Sequence, residues 1–388
     1  MTQKTLVIHS GTFKTGSSAI QLYLNRADYF GVLGAVSARY PQSGKSTSIQ
    51  HVNLVAELRG ERVFMPSKGG WDALLAEIHE HDAATTVVSS EWFSVLEAKH
   101  MQRIGDLCRA AGVKVRWVHY VREQPGLYNA FYVERVVTMR PDFRDVIDLP
   151  FEEFGTWSPV DLGFMRYASF AERLLEAIPD VDLEIRPFNR EYLLDGDAVR
   201  DFCDVVGLPF EPEHSETTNV GTGWRTVETA RRLVPFIDRA GLPRKVRRAS
   251  NPAAARQRWL QLIRSELVTV TTEVGWNSDS AIYMTPEHRA TILGEYHDEN
   301  ARLDALMDTP WLDIVESSRM KPHNVGSYHD VSGEELMTVM SRVLAVVYEM
   351  PDQVKALVKA EPESTPDEPP TRSLARRAAS AARRRLSG

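Results

Sequence analysis

The chain reads as an α/β protein: a parallel sheet flanked by helices, followed by a helical C-terminal portion and a disordered basic tail. Three observations lead there. Short β-rich runs alternate with helical patterns through the first half, the signature of βαβ units. The first run, residues 5–9 (TLVIH), is an apolar stretch of the kind that is buried on both faces when helical crossovers cover a parallel sheet. After about Val220 the spacing of apolar residues becomes helical.

In chain order, the first strand (5–9) ends in a glycine-containing loop, and a helix runs from about Ser17 to Tyr29. Residues 85–90 (TTVVSS) are a second strand, and 98–111 a helix that stops at Gly112. Residues 114–121 (KVRWVHYV) form a third strand, followed by a helix through Val137. Residues 181–186 (VDLEIR) are a fourth, and 197–206 a helix ending at Gly207. Residues 226–240, 254–272, 286–307 and 332–350 carry helical spacing, and a basic segment spans 239–258. The pattern divides the chain into a core over 1–235, a helical extension over 236–360 and a tail over 361–388. The tail opens with Pro and acidic residues and closes with six arginines and no acid after Thr371, a composition that buries no core.

Composition bounds the function. With 388 residues, 43% of them hydrophobic, the chain is long enough to bury a core without covalent staples. A formal net charge of −7 argues against a general nucleic-acid binder. Cys108 and Cys203 are too few for a disulfide framework and too far apart for a zinc site. No apolar run approaches the roughly 18 residues of a membrane span. The N-terminus lacks the features of a signal peptide, so the expected location is cytoplasmic. The arginine-rich end is a candidate contact with an anionic membrane surface, which would make the protein peripheral.

The strongest chemical signal is His9-Ser10-Gly11-Thr12-Phe13-Lys14-Thr15-Gly16-Ser17-Ser18, entered by a strand and left by an amphipathic helix. Gly11 and Gly16 permit a tight turn that presents backbone N–H groups. Thr15, Ser17 and Ser18 stand at the helix start, where orphan amides and the helix dipole favour an anion. A nucleotide P-loop reads G-x-x-x-x-G-K-[ST]. Here Ser17 stands at its lysine position, and the lysine lies inside the loop as Lys14.

Lys14-Thr15-Gly16-Ser17-Ser18 resembles the phosphosulfate loop of the sulfotransferases that use 3′-phosphoadenosine 5′-phosphosulfate (PAPS). The resemblance covers about residues 4–225, and a looser one covers residues 295–303 (EYHDENARL). It implies a P-loop-type parallel sheet, PAPS as co-substrate, no metal, and Lys14, Thr15, Gly16, Ser17 and Ser18 as its binding loop. It also implies that Arg122, ending the third strand, holds the 3′-phosphate, for which the guanidinium fork is suited. The family's serine eight residues later is Ala130 in this chain; Asn129 or Tyr132 would then donate instead. The general base at the end of the second strand would be Glu91, next to Trp92 and Phe93, whose apolar rings raise a carboxyl pKa. His51 is the alternative catalytic residue, and Asn219 and Arg225 are candidates in a loop closing over the nucleotide.

The expected reaction is sulfuryl transfer to an acceptor hydroxyl, on a carbohydrate or glycolipid, with Trp71, Trp92, Trp157 and Tyr167 as aromatics able to stack on it. Two other readings stand beside it. One is a P-loop-related small-molecule kinase, which would need a lysine at position 17. The other is a non-catalytic nucleotide-binding or scaffold protein of the same fold, which Ala130 keeps open. His9 and His119 read as packed strand residues, and His323 with His329 as parts of a polar loop rather than a metal site.

Overall fold

A computed structural model describes residues 3–46, 49–138, 163–215, 222–240, 252–278, 280–322, 324–326 and 331–349. Asn219, Trp157, His323, His329, the centre of the basic segment and the tail over 361–388 lie outside these residues.

Five strands form one parallel sheet: β1 (Lys4–Gly11), β2 (Ala38–Arg39), β3 (Thr85–Ser89), β4 (Val113–Val121) and β5 (Asp182–Pro187), in the order β2-β3-β1-β4-β5. β1 is thus central and buried on both faces, which is why it reads as a nearly continuous apolar run. Leu6, Ile8 and Trp117 pack against helices α2 (Val52–Leu58), α3 (Trp71–Glu80), α4 (Ala98–Ala110) and α6 (Tyr167–Ala177). Val7, Val87, Val118 and Tyr120 face the other way, onto α1 (Ser17–Tyr29) and α7 (Ala198–Val206). This is the two-residue period of a strand expressed as two cores.

A third core joins α5 (Gln124–Thr138) and α6 to the helical portion. That portion comprises α8 (Trp224–Ala240), α9 (Pro252–Glu273), α10 (Pro286–Glu295), α11 (His297–Asp304), α12 (Trp311–Arg319) and α13 (Gly333–Glu349). The helix expected over 286–307 is two helices, because the chain breaks at Tyr296, whose φ of −105° and ψ of 12° are not helical. β2, α3, α6 and α12 had no counterpart in the sequence reading. Two residues carry no readable period, whereas the three helices do carry helical spacing, as Trp71, Leu74, Leu75 and Ile78 of α3 show, and that spacing was a signal for them. Cys108 and Cys203 are free and buried. Among the described residues no helix is long and apolar enough to cross a membrane.

Candidate functional site

Strand register lines up the chain segments that carry the candidate residues. Gly11 pairs with Tyr120, His9 with Ser89, and Val121 with Pro187. The loop after β1, Glu91 after β3, Arg122 after β4 and Phe188 after β5 therefore share the carboxyl edge of the sheet. β1 leads on to β2 and β3 on one side, while β4 leads to β5 on the other. Loops diverging at such a switch point open a crevice.

The loop itself is built for an anion. The backbone N–H groups of Lys14, Thr15, Gly16, Ser17 and Ser18 find no acceptor among the described residues. Lys14 has φ 65° and Gly16 φ 77°, so successive amides turn toward one point as a nest. Gly16 is required twice over: its φ is left-handed, and a Cβ there would sit 2.8 Å from the Phe188 ring. A Cβ on Gly11 would overlap the hydroxyls of Thr15 and Ser17. The Thr15 hydroxyl turns inward and donates to the Thr12 carbonyl, tightening the loop. Ser17 is 1% exposed, and its hydroxyl lies near the Glu91 carboxyl. Ser18 is exposed.

Charge around the loop is arranged in a chain. Lys14 Nζ lies 3.1 Å from Glu134 Oε1 on α5. Arg122 donates to the Lys14 carbonyl at 3.3 Å, and its guanidinium lies 5.9 Å from the centre of the Phe188 ring. Tyr167 Oη donates to the Arg122 carbonyl at 2.7 Å, fixing the end of β4. Glu91 opens a short 3-10 turn, Glu91–Val95, whose cap is Ser90, accepting from Trp92 N. Desolvation and the neighbouring Glu134 raise the Glu91 carboxyl from 4.5 to about 7, against the pull of Lys14 and of the nearby Ser17 hydroxyl. A carboxyl at that value is suited to exchange protons at neutral pH.

Beside the loop lies an open cleft of about 730 Å³. One wall is a helical stripe on α5, where Asn129, Ala130, Val133, Glu134 and Val137 follow the i, i+4 spacing. The opposite wall is Phe188 and the turn leading into α7. Arg190, Arg264 and Lys321 add positive charge to that of Lys14 and Arg122, and together they outnumber Glu123, Glu134 and Asp197 on the same lining. An elongated polyanion fits such a lining better than a neutral ligand does.

Other sequence candidates fall elsewhere. His51 is fully buried under the sheet edge: its Nδ1 accepts from Ser89 N at 3.1 Å and its Nε2 donates to the Pro41 carbonyl at 3.0 Å. Burial holds its pKa at about 3, and with both nitrogens engaged it has no lone pair for a hydroxyl proton. Asn129 lines the cleft, but its amide is committed to the helical portion, donating to the Ala281 carbonyl at 2.7 Å and accepting from Tyr283 N at 2.8 Å. Tyr132 is buried against Tyr283 and offers the cleft no hydroxyl.

Of the aromatics, Trp71 and Tyr167 are core residues, and only Trp92, half-buried edge-on to Phe13 at 5.1 Å, flanks Glu91. The main residue the sequence reading missed is Glu134, although its place four residues after Ala130 on one helix face was a signal for it. Compared with known proteins, the chain gives no match to a family model, to a curated protein or to a solved structure.

Proposed function

We propose that this protein is a sulfotransferase that moves a sulfuryl group from PAPS to an acceptor hydroxyl on a carbohydrate or glycolipid. The observation that carries the reading is the set of unpaired amides from Lys14 to Ser18, with Arg122 bonded to the same loop at the edge of the cleft. The loop suits the phosphosulfate, Arg122 the 3′-phosphate and Phe188 the adenine face. The acceptor oxygen attacks sulfur, and the bond from sulfur to the 5′-phosphate oxygen breaks. Its electron pair stays on that oxygen, where Lys14 and the loop amides compensate the charge. The hydroxyl proton goes to Glu91. Ala130 offers no hydroxyl to the 3′-phosphate, and Arg190, Arg264 and Lys321 supply charge in its place.

The test is thermal unfolding with adenosine 3′,5′-bisphosphate, adenosine 5′-phosphate, ADP and magnesium ATP. The bisphosphate should stabilise selectively, and Arg122→Ala should abolish its advantage over the 5′-phosphate. Stabilisation by magnesium ATP alone would remove the PAPS reading in favour of a nucleoside triphosphate ligand. Gain of one SO₃ unit by a glycan on expression of the protein, lost in Lys14→Ala, would identify the acceptor.

A further inference from the structure

The ion pair at the mouth of the loop has a consequence for ligand binding. Lys14 belongs to the loop of unpaired amides, yet in the free protein its side chain is held by Glu134, 3.1 Å away. Both side chains line the same cleft. An anion seated on the amides competes with the Glu134 carboxylate for Lys14 and is repelled by it. Glu91, just past the end of β3, feels both groups.

We propose that Glu134 is the resident counter-ion of the loop: an incoming phosphate or sulfate displaces it from Lys14, and the Glu91–Glu134 pair, left without its cation, takes up a proton. This rests on the donor reading above for the identity of the natural ligand, but not for the exchange itself. Electrostatic repulsion drives it. Two carboxylates beside one ammonium already leave one negative charge in excess, a bound dianion adds two more, and a proton is the cheapest compensation. Glu91 already titrates at about 7 with Lys14 beside it, so losing that pull favours its neutral form at neutral pH. The Ser17 hydroxyl on α1 also faces Glu91. Among the described residues, Arg122, Glu123, Arg190, Asp197, Arg264 and Lys321 are the other charged groups that line the cleft, and none of the lining residues is a histidine. Glu134 thereby acts as a positioning residue: it orients Lys14 and screens the seat against weakly held anions.

Calorimetry on the full chain tests the exchange with two probes, adenosine 3′,5′-bisphosphate and inorganic pyrophosphate, near neutral pH in buffers of different ionisation enthalpy. Wild type should take up a proton on binding, and affinity should fall as pH rises. Glu134→Gln should bind either probe about tenfold more tightly, since a like charge at the seat is gone, and should take up measurably less proton. Glu134→Asp should restore the proton uptake. Binding of the bisphosphate with no proton uptake and unchanged affinity in Glu134→Gln overturns the counter-ion role while leaving the donor reading intact. Proton-linked binding of pyrophosphate with no preference for the bisphosphate does the reverse. Binding of neither probe overturns both.

Discussion

At the residue scale, Lys14 combines an unfavourable backbone with a functional position. Its φ of 65° costs an L-residue roughly 1–2 kcal/mol, and such strain persists where the surroundings require it. Lys14→Ala should lower turnover by about 100-fold or more, because one charge donor to the leaving group is lost. Lys14→Gly should be equally inactive yet at least as stable as the alanine variant, because glycine accepts the left-handed backbone. A Lys14→Ala protein with full turnover would remove the loop from the reaction.

Glu91 yields a second expectation with opposite signs for stability and activity. Its carboxyl in the folded chain is raised to about 7 from 4.5, so the fold favours the protonated form. The resulting penalty is absent below about pH 4.5, grows as pH rises toward 7 and is constant above. Glu91→Gln should therefore unfold at a higher temperature than wild type at pH 8 and at the same temperature at pH 4. Its kcat should fall by about 10²–10⁴-fold, the range for a lost general base. Lower stability at pH 8 would show instead that the carboxylate serves the fold as a partner of Lys14.

At the element scale, the helical portion is tied to the back of the site by polar contacts inside an apolar interface. Asn300 Oδ1 on α11 accepts from Gln124 Nε2 at 2.8 Å and from the Trp311 indole at 2.9 Å. Glu299, beside it, is buried and accepts from Ser169 N at 3.1 Å and from Arg302 at 2.7 Å. The segment over 295–303 thus has a structural task, docking α11 on α5 and α6. Asn300→Ala would leave a buried amide and a buried indole N–H unpaired, at about 1–3 kcal/mol each. Denaturant titration should show that loss, with bisphosphate affinity reduced because α5 carries one cleft wall. An unchanged midpoint would mean that water replaces Asn300. The spacing of 286–307 could not reveal the break at Tyr296, since both halves keep helical periodicity and only docking on two different helices bends the chain between them.

At the scale of the whole molecule, three neutral histidines lie beneath the carboxyl edge of the sheet. His9, His51 and His119 are fully buried, and burial lowers the pKa of each to about 3. Their partners fit the neutral form: Ser89 Oγ lies 2.7 Å from His9 Nδ1, and Ser10 Oγ 2.8 Å from His119 Nδ1. In the unfolded chain each binds a proton near its ordinary 6.5, so folding is opposed once pH falls below that value. Stability present above pH 6.5 should be lost on acidification, at up to about 1.4 kcal/mol per pH unit for each histidine until the folded-state values are reached. Chemical denaturation between pH 7 and 5 should show a steep loss. His119→Gln should flatten that slope even where it lowers stability at pH 7, and an unchanged slope in this variant would mean that His119 is protonated in the native state.

The sequence by itself determined four of the five strands and the loop after the first. An apolar run, a glycine-bounded turn and a helix start are local features, and local sterics and backbone hydrogen bonding decide them. It also placed Glu91 and Arg122 at strand ends, because a strand stops where the apolar pattern stops. The tertiary structure decided which of these residues meet. Strand order set β1 between β3 and β4 and so brought Glu91 and Arg122 to opposite sides of Lys14. The docking of α5 supplied Glu134, and the folding of residues 41–51 under the edge sealed His51 among its partners. Apart from the local bond to Pro41, those outcomes rest on contacts between residues about 40 to 120 positions apart. A side chain's pKa and reach depend on what surrounds it in space, and no spacing along the chain encodes that.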